Sequence, residues 1–134
     1  IGVFCLGIEL GGREGKKLYN GTKSLTPIEL AQETVRQQKT EENCELVFCL
    51  SNLGYKYHQE KIIEVQLAGL TKDIELIICG HTHTFLPEPT VVPNSEGKNV
   101  LVNQVGWAGV ELGRIDFFLD AGLNRESQGA TISV

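Results

Sequence analysis

Three histidines occur in this 134-residue chain, and two of them, His81 and His83, are separated by one residue. They stand in Gly80-His81-Thr82-His83-Thr84, directly after the apolar run Ile74 to Cys79. In extended backbone, residues i and i+2 point the same way. Two neutral imidazoles on one side suit one divalent metal, or two metals held about 3.5–4 Å apart. The other reading of such a pair is two turn histidines bonded to backbone. A second polar break, Ser51-Asn52-Leu53-Gly54, follows the apolar run Glu45 to Leu50. In open α/β sheets, ligands bind just beyond the carboxyl ends of parallel strands, and both breaks fall there.

Other chemistry is poorly represented. No carboxylate follows those strand ends: Glu45, Asp73 and Glu75 precede their strands, Asp116 lies inside one, and Glu88 and Glu111 are loop candidates only. His58, in Tyr55-Lys56-Tyr57-His58, reads as a solvated helix start. No G-x-G-x-x-G opens a helix after a strand, and no phosphate-binding G-x-x-x-x-G-K-[ST] exists. Gly11-Gly12 with Gly15 is a glycine-rich loop that leads into no helix at once. Ser51 lacks an identifiable histidine-carboxylate pair for nucleophilic work. Trp107, between Gly106 and Gly109, reads as a packed loop aromatic rather than a stacking platform.

The elements that must carry these motifs form an α/β pattern succeeded by β structure. Ile1 to Ile8 is an apolar strand. Glu9 to Gly21 is a loop with the turn signal Tyr19-Asn20-Gly21. Thr26-Pro27-Ile28-Glu29 starts a helix running to about Lys39, with Thr26 and Glu29 as a capping box. The strand Glu45 to Leu50 comes next. A second helix lies within His58 to Leu70, with Ile62, Ile63, Val65, Leu67 and Leu70 as its apolar face. Ile74 to Cys79 is the third strand, and the βαβ crossover should be right-handed. Thr90 to Val92 fits a short edge strand between prolines. Val100 to Val105 and Leu112 to Leu119 read as a partly covered antiparallel pair, and Ala130 to Val134 as a last strand.

The bulk figures narrow the class. A length of 134 residues fits one domain. With no methionine and Ile1 first, the chain is expected to have been processed, trimmed or cut out of something longer. A net charge of −5 excludes the basic footprint of a nucleic-acid binder. No segment approaches the ~20 apolar residues of a membrane span, and no signal-peptide pattern leads the chain. Cys5, Cys44, Cys49 and Cys79 show no C-x-x-C spacing. Cys5, Cys49 and Cys79 sit in apolar runs and read as free core thiols.

Ile77-Ile78-Cys79-Gly80-His81-Thr82-His83-Thr84, after Asp73-Ile74, resembles the G-H-x-H motif of calcineurin-like metallophosphoesterases. Leu50-Ser51-Asn52-Leu53-Gly54 resembles their L-S-H-L-G segment. Asn103-Gln104-Val105-Gly106, with Gly109 and Leu112-Gly113-Arg114-Ile115-Asp116, resembles the segment after G-H-x-H in the 5'-nucleotidase and UDP-sugar hydrolase branch. The likeness runs from Ile1 to about Phe118.

That resemblance implies part of a four-layer α-β-β-α sandwich, residues 1–134 being a single partial domain, the later half of a catalytic domain. It implies a phosphoric-ester hydrolase in which two divalent metals, Mn, Mg or Zn, activate water for attack on a nucleotide or other phosphate ester. It assigns His81 and His83 as metal ligands and puts Asn52 where the family has a histidine. The D-x-H, G-D-x-x-D and G-N-H-[ED] motifs of the first half are missing, so the metal set is incomplete and the chain alone is expected to be inactive. The alternative is a non-catalytic module of the same fold, acting in binding or assembly. An uncovered sheet face predicts a homo-oligomer. The resemblance also suggests a periplasmic or otherwise exported parent.

Overall fold

The computed structural model describes residues 1–8, 25–55, 63–120 and 125–134. Its elements are β1 (Gly2–Leu6), α1 (Pro27–Thr40), β2 (Val47–Ser51), α2 (Glu64–Leu70), β3 (Leu76–Cys79), β4 (Thr90–Pro93), β5 (Asn99–Asn103), β6 (Glu111–Leu119) and β7 (Arg125–Ser133). The expected loop Glu9 to Gly21, the glycine-rich Gly11-Gly12 stretch and His58 lie outside the described residues.

Five strands form one sheet in the order β1-β2-β3-β5-β4. The first four in that order run parallel, with Cys49 opposite Ile77 and Leu76 opposite Leu101. β4 closes one edge, antiparallel to β5, as a short strand flanked by prolines should. Asn94 makes the β4–β5 turn. Its Oδ1 accepts from the N–H groups of Glu96 and Lys98, both at 2.9 Å.

The expected antiparallel pair is present, with different partners. β6 pairs with β7 over Leu119↔Arg125 to Glu111↔Ser133, while β5 enters the parallel sheet. Val100, Leu101 and Val102 are all buried. Such continuous burial belongs to an inner strand of a parallel sheet, not to half of an exposed hairpin.

Both helices cover one face. α1 packs on β1 and β2, and α2 on β3, β4 and β5. Between them lie Phe4, Leu6, Val47, Cys49, Ile77, Val100 and Val102 from the sheet and Ala31, Val35, Leu67 and Ala68 from the helices. Each large aliphatic side chain removed from water here contributes about 1.5–3 kcal/mol. Pro27 holds Thr26 in extended backbone and starts α1. The capping box itself does not form: the Thr26 hydroxyl donates to the Glu29 carboxylate, and neither side chain caps a backbone N–H.

The other face is partly bare. Phe117 of β6 stacks on Phe48 at 5.1 Å, and Thr131 Oγ1 donates to the Leu86 carbonyl at 2.7 Å, so the hairpin seats on part of it. Cys5, Leu50 and Ile78 lie side by side in register and remain exposed. Cys5 is therefore not a core thiol, because its apolar run alternates and points it at the uncovered face. Cys49 is buried and Cys79 half-buried, and all four cysteines are free.

Candidate metal site at the carboxyl edge

Strands β2, β3 and β5 end together. Ser51 stands opposite Cys79, and Ile78 opposite Asn103. The residues beyond them, Asn52, Gly80 to Thr84 and Gln104 to Ala108, therefore share one edge of the sheet. Asn52 extends the ladder by one bond, its N–H reaching the Leu6 carbonyl at 2.9 Å. Its side chain rests on Gly80, where a Cβ would come within 2.7 Å of Asn52 Oδ1. Only glycine lets that amide lie beside the histidine loop.

His81 and His83 are both exposed, but neither is in extended backbone. Their φ angles are +68° and +51°. The i, i+2 argument from a strand thus gives way to a tight loop in the left-handed region, which costs about 1–2 kcal/mol per non-glycine residue. Gln104 holds this loop. It is buried at 2% exposure, its Oε1 accepts from Thr82 Oγ1 at 3.0 Å and from the Thr84 N–H, and its Nε2 donates to the Gly80 carbonyl. The Tyr55 N–H donates to Thr82 Oγ1 at 3.0 Å, joining the Ser51–Gly54 break to the same loop.

Beneath the edge lies a carboxyl group that the residue pattern did not reveal. Glu64, at the start of α2, is fully buried. Its Oε1 accepts from Ser51 Oγ at 3.0 Å and from the Gly54 N–H at 2.6 Å, and Ser51 Oγ accepts from the Leu53 N–H at 3.2 Å. Glu64 Oε2 is buried with no hydrogen-bond partner among the described residues. Burial pushes the Glu64 pKa up, against the opposing pull of these bonds and of nearby His81. Burial likewise raises the Cys49 thiol to about 12, with the Glu64 charge adding to it. The available signal was a glutamate three residues before Leu67, on the face expected to be apolar. Val65 of that expected face is half-buried and Leu70 is 60% exposed, so the stripe is narrower than expected.

Trp107 also departs from expectation. It is 61% exposed and lies nearly parallel to the His83 ring, with centroids 5.9 Å apart and an interplanar angle of 11°.

The sheet thus brings Asn52, His81 and His83 to one edge. Glu111 opens β6 and Glu88 is exposed in the loop before β4. No group of three or more His, Cys, Asp or Glu able to hold a metal occurs among the described residues. Two imidazoles and one amide oxygen are neutral donors. They fit part of a divalent-metal shell, and among the described residues a carboxyl near them is that of Glu64, buried beneath the edge, which does not complete a group of three ligating residues.

No protein-family model matches the chain. Over 93 residues, 69% of its length, it is 36% identical to the Trifunctional nucleotide phosphoesterase protein YfkN of Bacillus subtilis (strain 168). The solved 5'-nucleotidase precursor from Thermus thermophilus superposes over 83% of the chain with a TM-score of 0.69 and 29% identity. The family is that of the 5'-nucleotidase-type metallophosphoesterases, matched over part of its length. The NAD nucleotidase of Haemophilus influenzae shares the fold, with a TM-score of 0.67 over 93% of the chain at 19% identity. This metallophosphoesterase chain spans 6% of the Bacillus protein and 23% and 26% of the two solved ones.

Proposed function

We propose that this chain is the later part of the catalytic domain of a metal-dependent phosphoric-ester hydrolase acting on nucleotides. The observation that carries the reading is the convergence of Asn52 with the Gly80 to Thr84 loop at the carboxyl edge of a parallel sheet. In this reading His81, His83 and Asn52 are its metal donors. Bound divalent metals would polarise the phosphate and activate water. An amide oxygen at Asn52 favours a hard cation such as Mg²⁺ or Mn²⁺ over Zn²⁺ at that position. With these three uncharged donors as the set, metal binding is weak and the 134-residue chain is inactive. Phosphate release from a nucleoside monophosphate with added Mn²⁺ tests this, and the expected result is none above a metal-only blank. Clear turnover by the pure chain would refute it.

A second reading is a non-catalytic module of the same fold, favoured by the lack of any cluster of three ligating residues among the described positions. Loss of Mn²⁺ and Zn²⁺ binding in His81→Ala and His83→Ala supports the hydrolase reading. Unchanged binding supports the module.

The exposed row of Cys5, Leu50 and Ile78 supports self-association through the bare face. Light scattering should show a dimer or larger species that Leu50→Lys dissociates. A monomeric mass at high concentration overturns that. An exported parent is consistent with the word precursor in the name of the Thermus relative.

A further inference from the structure

His83 is held from one side by an aromatic ring, and the ring is held by a strap of backbone. Phe85 and Val105 form an antiparallel bridge. The Leu86 N–H donates to the Gln104 carbonyl at 3.1 Å, and the Gly106 N–H to the Thr84 carbonyl at 2.8 Å. These bonds zip the segment after His83 to the segment before Trp107. Gly106 has φ +70°, and a Cβ there would meet the Phe85 ring at 2.2 Å. The strap therefore closes only with glycine at that position. At its end Trp107 lies over His83, while most of its own surface stays in solvent. Leaving a large aromatic exposed gains little from apolar burial, so packing does not account for its placement.

We propose that Trp107 is a positioning residue for His83, its indole fixing the plane of the imidazole as a metal donor. The proposal rests on the reading of His83 as a ligand. An exposed imidazole in a loop has free rotation about its side-chain bonds, and a metal must select one orientation from many. A stacked neighbour removes part of that freedom before binding. Aromatic pairs contribute about 0.5–1.5 kcal/mol, which corresponds to roughly a two- to tenfold change in affinity. Groups that orient metal-bound histidines commonly act at this level or above.

The test uses the 134-residue chain and Zn²⁺ as the only added ligand, followed by calorimetry. Trp107→Ala should weaken binding by roughly two- to tenfold, and Trp107→Phe, which keeps a ring, should restore most of it. Gly106→Ala, which keeps both the His83 and Trp107 side chains but forces the strap open and so parts them, should reproduce the loss. His83→Ala should weaken binding more than any of them. Unchanged affinity in Trp107→Ala beside a clear loss in His83→Ala overturns the positioning role and leaves the ligand reading intact. Unchanged affinity in His83→Ala refutes the ligand reading itself. Side-chain NMR relaxation of His83 decides the positioning role without metal. Increased ring mobility in Trp107→Ala, reversed in Trp107→Phe, supports it, and identical mobility in all three proteins overturns it.

Discussion

Glu64→Ala should destabilise the fold by about 3–5 kcal/mol, whereas Glu64→Gln should change it by no more than about 1 kcal/mol at acid pH. The difference lies in the groups that each substitution leaves behind. Alanine removes the acceptor of two buried donors, Ser51 Oγ at 3.0 Å and the Gly54 N–H at 2.6 Å. Each orphaned donor costs about 1–3 kcal/mol, and the vacated volume adds to it. Glutamine keeps a carbonyl oxygen for both. The pH dependence separates charge from shape. Burial raises the Glu64 pKa in the folded chain, so the folded state holds this proton more tightly than the unfolded one. The stability associated with that group is complete below the ordinary carboxyl pKa of about 4.3 and falls as pH rises through the folded value. Glutamine has no proton to lose. Urea unfolding from about pH 4 to about pH 8 should therefore show wild type and Glu64→Gln nearly equal at the acid end. The variant should gain relative stability toward the alkaline end. A flat difference, or one that favours wild type as pH rises, would show that the buried carboxyl is not destabilised by its surroundings.

Further outcomes concern the same edge of the sheet. Gln104→Ala removes three hydrogen bonds around the Gly80 to Thr84 loop and should cost about 2–3 kcal/mol, with amide exchange at Thr84 rising sharply. Retained protection at Thr84 would mean that the loop holds its left-handed backbone without Gln104. Gly80→Ala should displace the Asn52 amide from beside residue 80, and unchanged Asn52 side-chain NMR shifts would contradict the 2.7 Å approach. Asn52→His should tighten Zn²⁺ binding by about tenfold, since imidazole suits zinc better than an amide oxygen. Calorimetry showing no gain would place position 52 outside the metal shell. In the Leu50→Lys variant, whose bare face is free, a maleimide should label exposed Cys5 and leave Cys49 unmodified, because Cys49 is buried and its pKa is pushed up to about 12. Labelling of Cys49 at a similar rate, read by mass spectrometry, would count against the assigned core.

The parallel core was legible because apolar runs and helical spacing report burial directly. Ala31 and Val35 lie inward as their period requires, and the runs around Val47 and Ile77 are strands. What the runs could not report is which face of a strand is covered. Phe4 and Cys5 are neighbours in one apolar run, yet one is buried and the other exposed, because the described helices cover only one side. Periodicity also fails where a polar group is buried by virtue of its partners. Glu64 takes a core position because Ser51 and Gly54 satisfy one of its oxygens, and those partners lie 13 and 10 residues away. Strand pairing was partly hidden for a related reason. Val100 to Val102 shows the unbroken apolar character of an inner strand, but alternation in Leu112 to Leu119 drew the two together.

The histidine loop shows the limit of spacing as an argument. A residue pair at i and i+2 was expected to converge through extended backbone, whereas both residues occupy the left-handed region. Two such residues in three positions carry about 2–4 kcal/mol of backbone cost, which persists only when surrounding bonds determine the shape. Gln104 and the Tyr55 N–H supply those bonds from neighbouring strand ends. The hydrogen bonds that Gln104 and Tyr55 give the loop come from uncharged groups of this chain. The proposed donors Asn52, His81 and His83 bring no negative charge of their own, and a nearby carboxyl, that of Glu64, is buried beneath the edge. Geometry and charge are thus separable in this site. The described residues bring two imidazoles and an amide to one edge, and in the proposed metal-binding reading the charge that would make binding strong must come from carboxylates beyond these three donors.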